Sequence, residues 1–229
     1  MLSRWILSTL ALFCVQASGQ SVISAHSGLI HFSEGLIFID DQLLAPSYGR
    51  FSEISENSVL RTEQGKAEVL LTPNTFLRIG ENSAVRMISS NLSDTQVEFL
   101  KGSVILQSND IPLPDNSVIL IYRGWKIRLP QQGVYRIDSE PPRLKAYNGD
   151  SEITLDSKTV VVNEGSLFSF PDAVVSERFA KETDALDRWA DKRSRATSAA
   201  LSAGTSSGSK KSGGSRAHPP VPVLPRRTW

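Results

Sequence analysis

From about residue 20 to residue 170 the chain alternates short apolar runs, rich in Val, Ile, Leu and Phe, with breaks of Gly, Asn, Asp, Ser or Pro. Runs of that length between turn formers predict an all-β domain. The expected strands are 29–33, 36–39, 50–54, 58–62, 67–71, 75–79, 84–89 and 96–100. They continue at 103–107, 117–123, 125–129, 133–138, 143–147, 151–155, 159–162 and 167–170. The most regular stretch is GKAEVLLTPNTFLRIGENSAVRM at 65–87. There Val69 and Leu71 alternate against Glu68, Leu70 and Thr72, and Pro73-Asn74 supplies a tight connection to a second strand. Both faces carry apolar residues, which places this strand pair centrally in its sheet. Val69, Leu71, Leu77 and Ile79 are expected in the core, with Gly65, Pro73 and Gly80 setting turns.

After Pro171 the period changes to about 3.6, with Val175, Phe179, Leu186, Trp189 and Ala190 sharing an arc of about 100°. This predicts an amphipathic helix in the segment 172–201, docking its stripe on the β body. Residues 202–229 are rich in Gly, Ser, Lys and Pro, include PPVPVLP at 219–225, and are expected to be disordered. A weak echo between GKAEVLL at 65–71 and GDSEITL at 149–155 fits repetitive β architecture. The expected fold is a jelly-roll-like β-sandwich, with a short β-solenoid as the alternative.

Composition narrows this picture. At 229 residues and 40% hydrophobic content the chain can bury one sizeable core. Its formal net charge is +1, but Lys210, Lys211, Arg216, Arg226 and Arg227 follow residue 201 and no acid does, so residues 1–201 carry −4. A mildly acidic body argues against nucleic-acid binding by the core.

At the N-terminus, Arg4 precedes an apolar run from Trp5 to Val15 and then Ala17-Ser18-Gly19, the form of a secretory signal cleaved after Gly19. The run is shorter than the roughly 20 residues that span a bilayer. The expectation is export to the periplasm or beyond, with anchoring by an uncleaved signal as the alternative. Cys14 is the single cysteine. With the signal removed no thiol remains for disulfides or catalysis.

Motifs of catalytic form fail by context. Gly204-Thr205-Ser206-Ser207-Gly208 fits G-x-S-x-G, and Ser207 to Lys210 fits S-x-x-K, but neither sits between a strand and a helix. His26, His31 and His218 read as surface or strand-edge histidines. No catalytic constellation, cofactor loop or metal-ligand set is assembled. The remaining candidate is a partner-binding surface of rings and guanidinium groups: Tyr122, Arg123, Trp125, Arg128, Tyr135, Arg136 and Tyr147, with Arg78 and Arg86 added from the 65–87 stretch. The competing reading puts Trp125 and Tyr135 in the core with their polar tips satisfied.

Leu60-Arg61-Thr62, Gly65-Lys66-Ala67-Glu68-Val69-Leu70-Leu71, Phe76-Leu77-Arg78-Ile79-Gly80 and Asn82-Ser83-Ala84-Val85, followed by Gly102-Ser103-Val104, resemble the signature of the FecR family. Gly133-Val134-Tyr135-Arg136-Ile137 and the run from Leu144 to Ile153 resemble its later segments. The likeness covers about residues 28–170. It implies an all-β periplasmic domain without catalytic residues, which in regulatory members relays a signal to a cytoplasmic anti-sigma segment. That cytoplasmic segment has no counterpart here. The function expected is therefore a non-enzymatic exported domain that binds or senses a protein or an envelope polymer, its basic tail touching anionic surfaces. The alternatives are a periplasmic sensor subunit of a signalling complex and a carbohydrate-active enzyme.

Overall fold

The structure, a computed structural model, describes residues 26–45, 51–109, 117–128, 132–177, 179 and 183–207. The expected signal at 1–19 and the tail from 208 onward lie outside the described residues.

Fifteen strands and one helix follow in order: β1 (Leu29–Ile39), β2 (Gln42–Leu43), β3 (Val59–Thr72), β4 (Thr75–Ile79), β5 (Ala84–Asn91), β6 (Asp94–Lys101), β7 (Ser103–Ser108) and β8 (Ser117–Tyr122). Then come β9 (Trp125–Arg128), β10 (Gly133–Ser139), β11 (Pro142–Asn148), β12 (Ser151–Leu155), β13 (Lys158–Val162), β14 (Ser166–Ser169), β15 (Val174–Glu177) and α1 (Ala185–Ser207). The strands form one hydrogen-bonded sheet in the order β13-β12-β9-β8-β6-β5-β3-β4-β7-β10-β11-β14-β15, with β1 along the free side of β3. All pairings are antiparallel except β6 with β8. The sheet folds on itself about β3 into two layers, as a sandwich requires. Layer one runs from β13 to β5, and layer two from β4 to β15.

The fold-over is written in β3. Its first residues pair with β5 (Leu60 opposite Val85) and its last with β4 (Val69 opposite Leu77), while β1 follows both halves. Where the chain passes between layers, Gly35 of β1 faces Gly65 of β3. A Cβ on Gly35 would lie 2.1 Å from the Gln64 carbonyl, and one on Gly65 would lie 2.6 Å from that of Glu34. The two strands cross there at a distance only glycine allows.

The turn between β4 and β5 is fastened to the same place. The buried Thr62 hydroxyl donates to the Gly80 carbonyl at 2.5 Å and accepts from the Ser83 amide at 3.0 Å. Ser83 Oγ donates to the Glu81 carbonyl and accepts from the Ser103 amide, both at 2.9 Å. The resemblance motif at 60–85 is thus a set of structural fasteners.

The two layers enclose one core. Val69, Leu71, Leu77, Ile79, Val104, Leu106, Tyr135 and Ile137 come from layer two, and Val85, Val97, Phe99, Leu120 and Ile127 from layer one. Aromatic rings close the gap, with Tyr122 against Phe170 at 4.9 Å and Trp125 against Phe168 at 5.3 Å, both edge-on.

Several boundaries differ from the sequence reading. The segments 29–33 and 36–39 are one strand, as are 58–62 and 67–71, and Gly65 lies inside β3 rather than at a turn. Of the strand expected at 50–54, Arg50 lies outside the described residues and 51–54 contribute only an isolated bridge of Glu53 to Leu29. The short β2 was not expected. The helix expected over 172–201 begins at Ala185, because Val174 and Val175 are β-branched and pair with β14 across the turn at Asp172-Ala173. At its far end α1 includes residues 202–207, which the sequence reading assigned to the tail.

The glycine crossing gives the first prediction. Gly65→Ala should cost at least about 3 kcal/mol or prevent folding, because backbone atoms of β1 must move. Gly165→Ala, whose Cβ would meet nothing within 4 Å but which keeps φ at +79°, should cost only about 1–2 kcal/mol. Urea denaturation of both variants checks this, and equal losses would contradict the crossing argument.

Candidate functional site

Strand alternation turns one row of side chains outward across layer two. Phe32 and Glu68 are opposite each other, then Glu68 faces Arg78, Arg78 faces Ile105, Ile105 faces Arg136, and Arg136 faces Lys145. Outward charges in a central sheet are costly unless covered and paired. The cover is α1, which lies along β4 and β7 from the Gly80 end, where Leu186 packs, to the Phe76 end, where Ser194 meets Gln107. The apolar seam is small: Ile105, Leu186 and Ala190 are buried, with Val134 and Trp189 beside them. Two charge clusters flank it.

The first surrounds Glu68, whose side chain is 0% exposed. Its Oε2 accepts from Arg78 Nε at 2.8 Å, and its Oε1 accepts from Arg193 Nη2 at 2.8 Å and from His31 Nδ1 at 2.9 Å. Arg78 Nη1 also donates to the Gln107 side chain, which reaches Ser194 Oγ at 3.0 Å. Arg193 stacks over Phe32 at 3.9 Å, and Phe32 lies 6.3 Å from Trp189. Burial opposes ionisation of Glu68 most strongly, yet the hydrogen bonds from His31 and Arg193 and the charges of Arg78 and Arg193 outweigh it. They hold the carboxyl down at about 2.

The second surrounds Arg136, which contacts three carboxylates: Asp138 at 2.9 Å, Asp187 at 2.9 Å and Asp184 at 2.7 Å. Asp184 and Asp187 also cap α1 reciprocally. The Asp187 amide donates to Asp184 Oδ1 at 3.0 Å, and the Asp184 amide donates to Asp187 Oδ2 at 3.2 Å. Burial works against the Asp184 charge, but Arg136 and the Asp187 amide overcome it and bring its carboxyl to about 2. Tyr147 donates to Asp187 Oδ1 at 3.2 Å, and burial, followed by that carboxylate, pushes its phenol up.

Between the clusters, a cavity of about 170 Å³ lies under α1, lined by Val134, Tyr147, Asn148, Asp187, Asp191 and Ser194. It is large enough for several waters or a small polar molecule. Of its two carboxylates, Asp187 is engaged by Arg136 together with Asp138 and Asp184, a positioning arrangement, and Asp191 lines the cavity beside it. Among the described residues no group of three or more His, Cys, Asp or Glu is set to hold a metal ion, and no helix is long and apolar enough to cross a membrane.

The candidate partner-binding residues separate into three places. Tyr122, Trp125 and Tyr135 are buried core rings, the Tyr135 hydroxyl donating to the Asp150 carbonyl at 2.6 Å. Arg78, Arg136 and Tyr147 belong to the helix interface, and Arg78, being 0% exposed, cannot meet a partner. Arg123 and Arg128 are exposed, and Arg86 is half-buried beside Glu98 at 2.8 Å. Arg86 and Arg128 stand on the outer face of layer one, where Arg86, Glu98, Ile121, Lys126, Thr154 and Thr159 form a cross-strand row. Among the described residues no helix covers that face.

Glu68, Asp138, Asp184, Asp187 and Arg193 were not singled out from the sequence. His31, expected as a surface or strand-edge residue, is half-buried against Glu68. The spacing Asp184-x-x-Asp187 is the one local signal, since it suits an N-cap and N3 pair.

No family model matches the chain, and a comparison with curated proteins finds no match. Among solved structures, two crystal structures of a proposed anti-sigma factor from Parabacteroides distasonis align at a TM-score of 0.40, with 11% and 10% identity. Each alignment covers 52% of this chain and 58% of the other, so the chain spans less than two thirds of that protein's length.

Two predictions follow from the charge clusters. Glu68 is depressed from an ordinary value of 4.5 to about 2, so its stabilising contribution is fully present above about pH 4.5 and is lost as pH falls through about 2. That loss should be on the order of 3 kcal/mol, and Glu68→Gln should flatten this part of the stability profile measured by urea denaturation. Arg136→Met leaves Asp187 buried without its cation and Asp138 with only Arg143 at 3.4 Å, and should cost about 3–5 kcal/mol. A loss below about 1 kcal/mol in the same assay would show that the cluster does not anchor α1.

Proposed function

We propose that the chain is a non-enzymatic, exported binding or sensing domain that engages an acidic protein surface or an anionic envelope polymer through the outer face of layer one. The observation that carries this reading is the asymmetry of the two layers: α1 lies over β4 and β7 of layer two, while among the described residues no helix lies on the outer face of layer one. On that sheet Lys126 and Arg128 are exposed and Ile121 is half-exposed among them, with Arg123 at the adjoining β8–β9 turn. That face alternates cations with Glu98, opposite Arg86, and Glu152, opposite Arg128, and its cationic end at Arg123, Lys126 and Arg128 suits an anionic partner segment. Support also comes from beneath α1, where Asp138, Asp184 and Asp187 are engaged by Arg136.

A sensor subunit of a signalling complex is the second reading, and the FecR-like residues 60–106 favour it. Under that reading the domain associates with a membrane partner, and removal of 172–229 should abolish co-purification with membranes.

The test of the first reading is retention of the purified protein on cell-envelope extract. The triple variant Arg123→Glu, Lys126→Glu, Arg128→Glu should fold normally, because all three side chains are exposed, and should lose at least tenfold in retention. Raising the salt concentration should weaken retention of the unaltered protein. Unchanged retention by the triple variant would overturn the assignment of this face.

A further inference from the structure

The acidic excess of the body is concentrated. Residues 34–63 hold six carboxylates against two arginines, a net −4 that equals the charge of the whole segment 1–201. Among the described residues, the same segment carries three of the five large apolar side chains that stand exposed: Leu36 at 43%, Leu43 at 58% and Phe51 at 64%. The other two, Val161 and Val174, sit on the strands that end the sheet. Exposed apolar groups within an acidic rim mark a docking surface for a segment that is itself apolar and cationic.

The surface has a shape. An open groove of about 430 Å³ lies between the β1–β2 hairpin and the segment 52–53, with Ile39, Leu43, Leu44 and Ala45 as its apolar lining and Asp40 and Glu53 at its rim. Its walls are fixed by backbone bonds: Leu44 donates to the Ile37 carbonyl at 2.8 Å, and Ile30 donates to the Ser52 carbonyl at 2.8 Å. Phe51 adjoins it and stacks on His31 at 6.3 Å, and His31 lies 6.0 Å from Phe76.

One segment of this chain has the matching chemistry. Residues 219–229, PPVPVLPRRTW, place Val221, Val223 and Leu224 among four prolines, followed by Arg226, Arg227 and Trp229. Prolines bias such a segment to the polyproline II form, which presents side chains to a groove without needing ladder hydrogen bonds and loses little entropy on docking. Arginine suits carboxylates through paired N–H donors. The whole stretch after residue 201 carries +5 and no acid.

The geometry permits the contact. α1 runs along β4 toward Phe76, the end of layer two at which His31 and Phe51 gather. It ends at Ser207. Residues 208–218 reach at most about 36–40 Å when extended.

We propose that residues 219–229 dock in the groove between the β1–β2 hairpin and the segment 52–53 of the same chain. The valines and the leucine rest on Leu43 and Leu44, and the two arginines face the rim formed by Asp40 and Glu53. A tail held there is withdrawn from anionic surfaces, so docking on the body and attachment to an envelope compete. A strongly anionic polymer draws the tail off the groove. This inference stands on the groove and the tail, and it is independent of the binding face assigned to layer one.

The test compares amide chemical shifts of the full chain with those of a chain ending at Ala217. Residues 39–45 and 51–54 should shift between the two, and a synthetic peptide of residues 217–229 added to the shortened chain should restore the full-chain positions. Arg226→Glu with Arg227→Glu in the full chain should mimic the shortening. Leu43→Ser, at an exposed position that the fold tolerates, should weaken peptide binding at least fivefold. Identical shifts in the two chains would overturn the proposal. Shifts that depend on protein concentration, with a dimer in sedimentation, would assign the tail to a second copy and overturn docking within one chain. Loss of envelope retention on changing Arg226 and Arg227, without any change at residues 39–54, would place the tail on the envelope instead.

Discussion

A carboxylate buried in the middle of a sheet must find cations or remain neutral, and Glu68 is the group on which this molecule depends. It stands on the outer side of β3, with no exposure, and takes hydrogen bonds from β1, β4 and α1 through His31, Arg78 and Arg193. Withdrawing such a charge from water costs several kcal/mol. Hydrogen bonds to charged groups each return roughly 1.5–3 kcal/mol, so only the complete set of partners makes the arrangement favourable. The requirement is geometric as well as energetic. Without α1, Glu68 would face water with two partners instead of three. Without Glu68, Arg78 and Arg193 would be two like charges close together beneath a helix.

The consequences spread through the fold. With α1 fixed over β4 and β7 by Glu68 at one end and Arg136 at the other, the middle of that layer's outer face is covered. The proposed recognition surfaces are the face of layer one, over which no described helix lies, and the acidic groove beside β1. One carries Lys126 and Arg128 around Ile121, with Glu98 and Glu152 beside them, and the other sets Leu43 and Phe51 among carboxylates.

Much of the fold is legible in the sequence because alternation reports burial directly. Val69, Leu71, Leu77 and Ile79 fill the core as their spacing implies, and the 65–87 stretch is the central strand pair. The helix start was misplaced because Val174 and Val175 fit an apolar stripe of either period, and only the turn before them shows that they form a strand. Gly65 looked like a turn residue because close crossing of two strands and a tight turn both demand glycine, and sequence alone does not separate them. The candidate site was less legible. Tyr122, Arg123, Trp125, Arg128, Arg136 and Tyr147 are neighbours in sequence, but hairpins and alternation distribute them to the core, the helix interface and the open face. The pairs that matter are remote, such as Arg193 with Glu68, and no local pattern encodes them. Only the capping spacing of Asp184 and Asp187 was available in advance.

Native-state hydrogen exchange on the unaltered protein tests the central claim most directly, because it reports separately on α1 and on the strands beneath it. If the two charge clusters make α1 part of the folded unit, amides of residues 189–194 will open with a free energy within about 1 kcal/mol of those in β4 and β7. If those helix amides exchange near the unprotected rate while β4 and β7 stay protected, α1 is a loosely attached appendage and the account is contradicted.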